Sequence, residues 1–229
     1  MKKTNRKNSV KPVWILPLLP IFLSACTEPQ APEAEKLPES SVYDDSWYIS
    51  SGWPGEYPNG FSILKDGVVL EGRAEMNKAA AKTLNCPVPR LANFNPWNHQ
   101  RVDADQLEFI SASKKFTIPV VEDVDVPVFD DAHGDTLALK KGAELTYLTY
   151  IAEGFALMAY QGKEYQVDMA GLEEKVSFAG QPDIADDLWV NIPCQSGQRG
   201  WVLHSEVVGV DGVRETEHTV YGESPDLAQ

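Results

Sequence analysis

From about residue 42 onward the chain is written in short runs of alternating apolar and polar residues, cut by glycine, proline and acidic turns. That period predicts strands, not helices. Phe61-Ser62-Ile63-Leu64 and Val68-Val69-Leu70-Glu71-Gly72 flank Lys65-Asp66-Gly67, and two apolar runs around Asp-Gly predict a hairpin. Ahead of it, Trp47, Tyr48, Trp53, Tyr57 and Phe61 alternate irregularly with Gly52, Pro54, Gly55, Pro58 and Gly60, an aromatic, turn-rich stretch without a period. Glu75 to Leu84 has a helical composition but no clear cap, and Pro87 ends it, so one short helix is expected there. Cys86 to Arg101 then reads as an irregular connection, and Gln106–Ile110 and Lys115–Val121 as strands. Later runs follow at Asp125–Phe129, Thr136–Leu139, Ala143–Tyr150, Phe155–Tyr160, Glu164–Val167, Asp187–Ile192 and Gly200–Val208. Short strands at this spacing predict a mainly β fold, a small barrel or sandwich.

The first residues have another pattern. Lys2, Lys3, Arg6, Lys7 and Lys11 precede an apolar stretch, Val13 to Ala25, that is shorter than the about 20 residues a membrane-spanning helix needs. A basic start and a short apolar core are the plan of a secretory leader. The stretch ends in Leu23-Ser24-Ala25-Cys26, which resembles the lipobox of bacterial lipoproteins. The resemblance implies cleavage after residue 25, acylation of Cys26 and, with Thr27 following, anchoring in the outer membrane with the folded part in the periplasm. Several acyl chains at about 0.8 kcal/mol per buried methylene make a stable anchor. Residues 26–41 then form the anchor and a Pro/Glu-rich tether, extended to roughly 45 Å at about 3.1 Å per residue. Residues 211–229 read as an acidic tail.

The net charge of the chain is −14. Loss of the leader, which holds five basic and no acidic residues, takes it to −19. So acidic a protein is not expected to track nucleic-acid phosphates, and it favours a basic partner. With Cys26 lipidated, Cys86 and Cys194 remain in an oxidising compartment, which predicts a disulfide between them.

The order Leu137-x-Leu139-Lys140-Lys141-Gly142-x-x-Leu145-Thr146, Leu188-Trp189-Val190 and Gly197-x-x-Gly200-Trp201-Val202-x-x-Ser205-x-Val207 resembles bacterial SH3-like (Src-homology-3-type) domains. The resemblance implies a small barrel over residues 120–210, packed on a second small β unit over 42–119. The chain departs from the family near residues 161–185, where an insertion stands in place of a short turn.

Catalytic constellations are sparse. Asp130-Asp131-x-His133-Gly134-Asp135 has oxygen ligands for a hard cation but lacks EF-hand spacing, and a polar turn in an acidic protein has the same look. His99, His133, His204 and His218 lack zinc-ligand spacing. Cys86 sits between Asn85 and Pro87 without the helix that activates a nucleophilic thiol. No metal, cofactor or catalytic residue is therefore assigned.

Aromatic side chains are the other source of function, as contacts or as core. Trp53, Tyr57, Trp97, Tyr147 and Tyr150 are the candidate binding residues, Trp53 and Tyr57 best placed for exposure, whereas Trp189 and Trp201 are expected in the core. The expected function is a non-enzymatic binding or assembly module, tethered to the membrane by lipid, for a peptidoglycan peptide or a basic envelope protein. The alternatives are an inhibitor of a basic hydrolase such as lysozyme, and a cell-wall hydrolase whose site is not recognisable.

Overall fold

A computed structural model describes residues 43–97, 99, 101–129, 136–173, 175–177 and 186–216, all within the compact unit Leu37–Gln229. The expected leader and tether, Cys26, the acidic loop 130–135 and the chain from residue 217 lie outside the described residues.

Fifteen strands and two single-turn α-helices make up the described chain, so the fold is mainly β as the alternation predicts. In order they are β1 (Trp47–Ser51), β2 (Gly60–Ile63), β3 (Val69–Gly72), β4 (Leu84–Pro87), β5 (Asn93–Phe94), β6 (Glu108–Lys114) and β7 (Phe116–Pro119). Next come β8 (Val124–Pro127), β9 (Thr136–Leu139), β10 (Glu144–Ala152), β11 (Phe155–Tyr160), β12 (Lys163–Asp168) and α1 (Met169–Leu172). The chain continues with β13 (Asp186–Pro193), β14 (Arg199–Leu203), α2 (His204–Val207) and β15 (Val213–Thr216). No described helix is long and apolar enough to cross a membrane.

Two lobes follow from which apolar faces meet. The first joins residues 43–114 to 186–216. Its main sheet runs β1-β6-β13-β14, and smaller sheets β15-β2-β5 and β3-β4 cover it. Phe61, Ile63, Leu70, Phe94, Val190 and Ile192 fill one core of this lobe, and Met76, Ile110, Trp189 and Trp201 fill a second. The second lobe is continuous in sequence. The sheet β12-β11-β10-β7 and the β8-β9 pair enclose Ile118, Val126, Leu139, Leu145, Met158 and Val167. Alternation sets the inner face: in β9, Leu137 and Leu139 turn inward while Thr136 and Ala138 face water.

Three sequence expectations change here. Phe61–Ile63 and Val69–Gly72 are strands, but not a hairpin: β2 pairs with β15 and β5, and β3 pairs with β4. Gly67 does turn the chain, at φ 76°, yet the two runs leave it for different sheets. The helix expected over Glu75–Leu84 is absent, replaced by turns. Side chains take the bonds a helix would have used. Arg73 donates to the carbonyls of Lys78 and Ala80, and the Asn77 carbonyl oxygen accepts from the Ala79 N–H. The closing run Gly200–Val208 splits into β14 and the turn of helix α2.

The segments that carry the SH3-like resemblance fall in both lobes. β9 and β10 belong to the second lobe, whereas β13 pairs with β6 and β14 in the first. No sheet closes on itself among the described residues. The insertion expected near 161–185 contains β12 and α1, which are elements of the second lobe.

Cys86 at the end of β4 and Cys194 after β13 stand at disulfide distance, 1.95 Å between sulfurs, and tie the first lobe across 108 positions. Gly200 lies against this bridge. A Cβ there would stand 2.7 Å from the Cys194 sulfur, so only glycine lets β14 approach.

Candidate binding site

Loop Gly52–Asn59 leads from β1 to β2 and is fixed at three points. The Gly55 N–H donates to the Ile151 carbonyl at 2.7 Å, tying the loop to the second lobe. The indole N–H of Trp53 donates to the Trp189 carbonyl at 2.9 Å, and its ring meets Phe109 and His204 edge-on. The side-chain amide of Asn95 donates to the Pro58 carbonyl at 2.5 Å. Asn95 also accepts from the Trp97 N–H at 2.9 Å, so one buried asparagine clamps the loop that bears Tyr57 to the loop that bears Trp97. Both aromatic residues remain exposed, Tyr57 at 43% and Trp97 at 50%.

A cleft of about 300 Å³ separates β1 from β10, β11 and β12. Tyr48, Ser50, Trp53, Tyr150, Leu157 and Gln166 line it. Its floor is polar and self-bonded: the Ser50 hydroxyl pairs with Ser111 and that of Ser113 with Thr149, each at 2.8 Å. Tyr48 donates to the Glu164 carboxylate at 3.5 Å. Burial, with the negative charge of Glu164 adding, pushes the Tyr48 phenol up.

Behind this floor the Tyr147 hydroxyl and Oδ1 of Asp186 are buried without a hydrogen-bond partner among the described residues. Burial raises the Asp186 pKa, a hydrogen bond with Ser113 opposes the shift, and Asp187 adds to it. Burial also raises the Tyr147 phenol, and the charge of Asp186 acts in the same direction.

Two smaller hollows lie in the first lobe. One of about 220 Å³ is walled by Pro87, Pro89, Phe94, Arg101, Val102 and Pro193 near the disulfide. The other, about 200 Å³, has Glu71, Lys82 and Glu206 at its rim.

The five candidate aromatic residues therefore separate. Tyr57 and Trp97 are exposed on clamped neighbouring loops. Trp53, expected exposed from its glycine and proline neighbours, is 95% buried, because its indole reaches back over the first core to the Trp189 carbonyl. It shares the cleft with Tyr150, whose hydroxyl accepts from the Gly154 N–H at 3.2 Å. Tyr147 is core, stacked on Phe116 at 4.5 Å between ring centroids. Trp189 and Trp201 are buried as expected.

His204, expected in a closing strand, opens α2. It is buried, with its ring 3.3 Å from the Gly60 carbonyl, a structural placement. Ser50, Leu157 and Gln166 were not legible as cleft residues, since each reads as an ordinary strand position until the lobes are assembled. No group of three His, Cys, Asp or Glu side chains among the described residues is placed to hold a metal ion, and the Asp130–Asp135 loop lies outside them.

Comparison with protein-family models, curated proteins and solved structures finds no match to this chain.

Proposed function

We propose that this chain is an outer-membrane lipoprotein, acylated at Cys26, whose β body is a non-enzymatic binding or assembly module for a peptidoglycan peptide or a basic envelope protein. The observation that carries the reading is the pair Tyr57 and Trp97, half exposed on two loops that Asn95 clamps together. Exposed aromatic side chains on loops already held in place lose little conformational freedom on binding and present large contact areas. The charge of −19 after loss of the leader favours a basic partner. An SH3-like likeness is proposed for the second lobe alone, where β8 to β12 share one core and the Lys140-Lys141-Gly142 turn joins β9 to β10.

Two measurements test this. Intact mass should show an acylated chain beginning at Cys26, and Cys26→Ser should release the protein from the membrane fraction. Titration with soluble peptidoglycan stem peptides and with lysozyme should show binding that Tyr57→Ala and Trp97→Ala each weaken. A loss of about 2 kcal/mol, close to 30-fold, is the scale of an interface hot spot. Thermal unfolding of each variant should remain a single cooperative transition. Full binding by both variants would overturn the role given to these aromatic residues, and inhibition of lysozyme turnover would favour an inhibitor instead.

A further inference from the structure

β1 is an edge strand of its sheet, and its unused side can be identified from the register. Lys115 N–H donates to the Ser46 carbonyl and Gly52 N–H to that of Phe109. With Tyr48 opposite Ser113 and Ser50 opposite Ser111, the even-numbered residues of β1 therefore bond to β6. The backbone N–H and C=O groups of Ile49 and Ser51 point the other way and meet no partner among the described residues.

Edge strands normally carry a device that blocks further pairing. β12 has Lys163 and Glu164, β15 has Arg214 and Glu215, β4 and β7 end on Pro87 and Pro119, and β14 is bridged to Arg73. β1, Trp47-Tyr48-Ile49-Ser50-Ser51, has no charge, proline or bulge. A strand added to it would send every second side chain to the face of Tyr48 and Ser50, the side on which the 300 Å³ cleft opens.

Charge selects the occupant. Asp44 and Asp45 precede the strand and Glu164 stands beside Tyr48, while the neighbouring Lys114 is committed to the Ser46 hydroxyl and the face of Trp47. A second copy, itself at −19 once the leader is lost, would be repelled, and a cationic segment attracted.

We propose that β1 receives an extended lysine- or arginine-bearing peptide as an added strand, with alternate side chains entering the cleft. The proposal names the partner class for the binding module and rests on that reading. The full chain in detergent is titrated with two ten-residue probes, (Lys-Val)₅ and (Glu-Val)₅, and followed by amide exchange. (Lys-Val)₅ should bind, more weakly at high salt, and should slow exchange at Ile49 and Ser51. (Glu-Val)₅ should not bind. Ser51→Pro removes one outward N–H and none of the bonds to β6, so it should weaken (Lys-Val)₅ at least 10-fold. Equal binding of both probes, or unchanged exchange at Ile49 and Ser51 in the unmodified chain, overturns the proposal. So does a dimer that Ser51→Pro dissolves, which would make a second copy the occupant. Peptidoglycan or lysozyme binding that is lost in Trp97→Ala and kept in Ser51→Pro, without (Lys-Val)₅ binding, sinks this inference and leaves the wider reading standing. The converse pattern sinks the aromatic site alone.

Discussion

Replacing Arg73 with methionine is expected to destabilise the fold by about 2–3 kcal/mol. Arg73 follows β3 and is 97% buried, its backbone bonded in both directions to Trp201. Its guanidinium donates to both Glu206 oxygens, at 2.7 and 2.8 Å, and to the carbonyls of Ala80 and Lys78, and it lies 5.6 Å from the Trp189 ring centre. One side chain thus joins the end of β3, the turns after it, α2 and the core beneath β13.

Methionine keeps most of the stem volume and removes all of those bonds. Breaking a buried ion pair typically costs about 3–5 kcal/mol. Here the Glu206 side chain is 31% exposed and keeps Lys82 at 3.0 Å, so water and the lysine absorb part of the loss and set the lower figure. For a chain of this size the shift in Tm is about 2–4 °C per kcal/mol, or roughly 4–12 °C. Urea unfolding of the single variants Arg73→Met and Glu206→Gln and of the double variant isolates the pair, with an expected coupling of about 1–2 kcal/mol.

Acid titration gives a second check. The hydrogen bond from Arg73 holds the Glu206 carboxyl below its ordinary value of 4.5, burial opposes this, and Lys82 assists. A depressed folded pKa contributes stability that is present above the unfolded value and lost as pH falls through the folded one. The gap between the unmodified protein and Arg73→Met should therefore narrow below about pH 4.5. A variant within 0.5 kcal/mol of the parent, on the scale of about 0.5 kcal/mol seen for neutral surface changes, or a gap that does not change into acid, would refute the reasoning.

Gly200→Ala should cost about 1–3 kcal/mol by overpacking, read by thermal unfolding, because the new Cβ meets the Cys194 sulfur at 2.7 Å and Gly72 Cα at 3.3 Å. Removing the disulfide as Cys86→Ser with Cys194→Ser should lower stability by about 4–5 kcal/mol on chain-entropy grounds, measured by urea unfolding against the oxidised parent. Asp186→Asn should stabilise at pH 7. A raised folded pKa means that the charged form costs stability above the unfolded value, so the gain should disappear below about pH 3.8, which unfolding across pH would show. Trp53→Phe keeps a six-membered aromatic ring but loses the fused pyrrole ring and its bond to the Trp189 carbonyl, for an expected loss of at least about 1–2 kcal/mol in chemical unfolding.

Strand positions were legible because their signal is local. The alternation in Thr136–Leu139 and the Lys140-Lys141-Gly142 turn are decided within a few residues, and the fold contains them where the pattern puts them. The disulfide was legible by arithmetic on three cysteines. Pairing partners were not, since Asp66-Gly67 specifies a reversal but not which sheet receives the strand after it. The helix failed for a related reason: alanines and lysines at 78–82 suit a helix, and a buried arginine outside the segment took its carbonyls instead. Trp53 is buried against expectation because glycine and proline neighbours describe the backbone of a loop and say nothing of where a long side chain returns. The cleft joins β1 to strands a hundred positions later in the chain, a distance no local pattern spans.

The first lobe is discontinuous, and this orders events in time. A chain that emerges amino end first presents β1 to β6 before β13, β14 and β15 exist to complete their sheets. β6, buried along Ile110–Ser113, has its second neighbour missing until then. The second lobe needs only contacts within its own stretch and has low contact order, so it can settle first. Oxidation of Cys86 must wait for Cys194, which places the covalent lock at the end of assembly. Until residues 186–216 arrive, the edge of β6 that β13 takes has no strand to pair with, so the early half of this lobe cannot complete its main sheet.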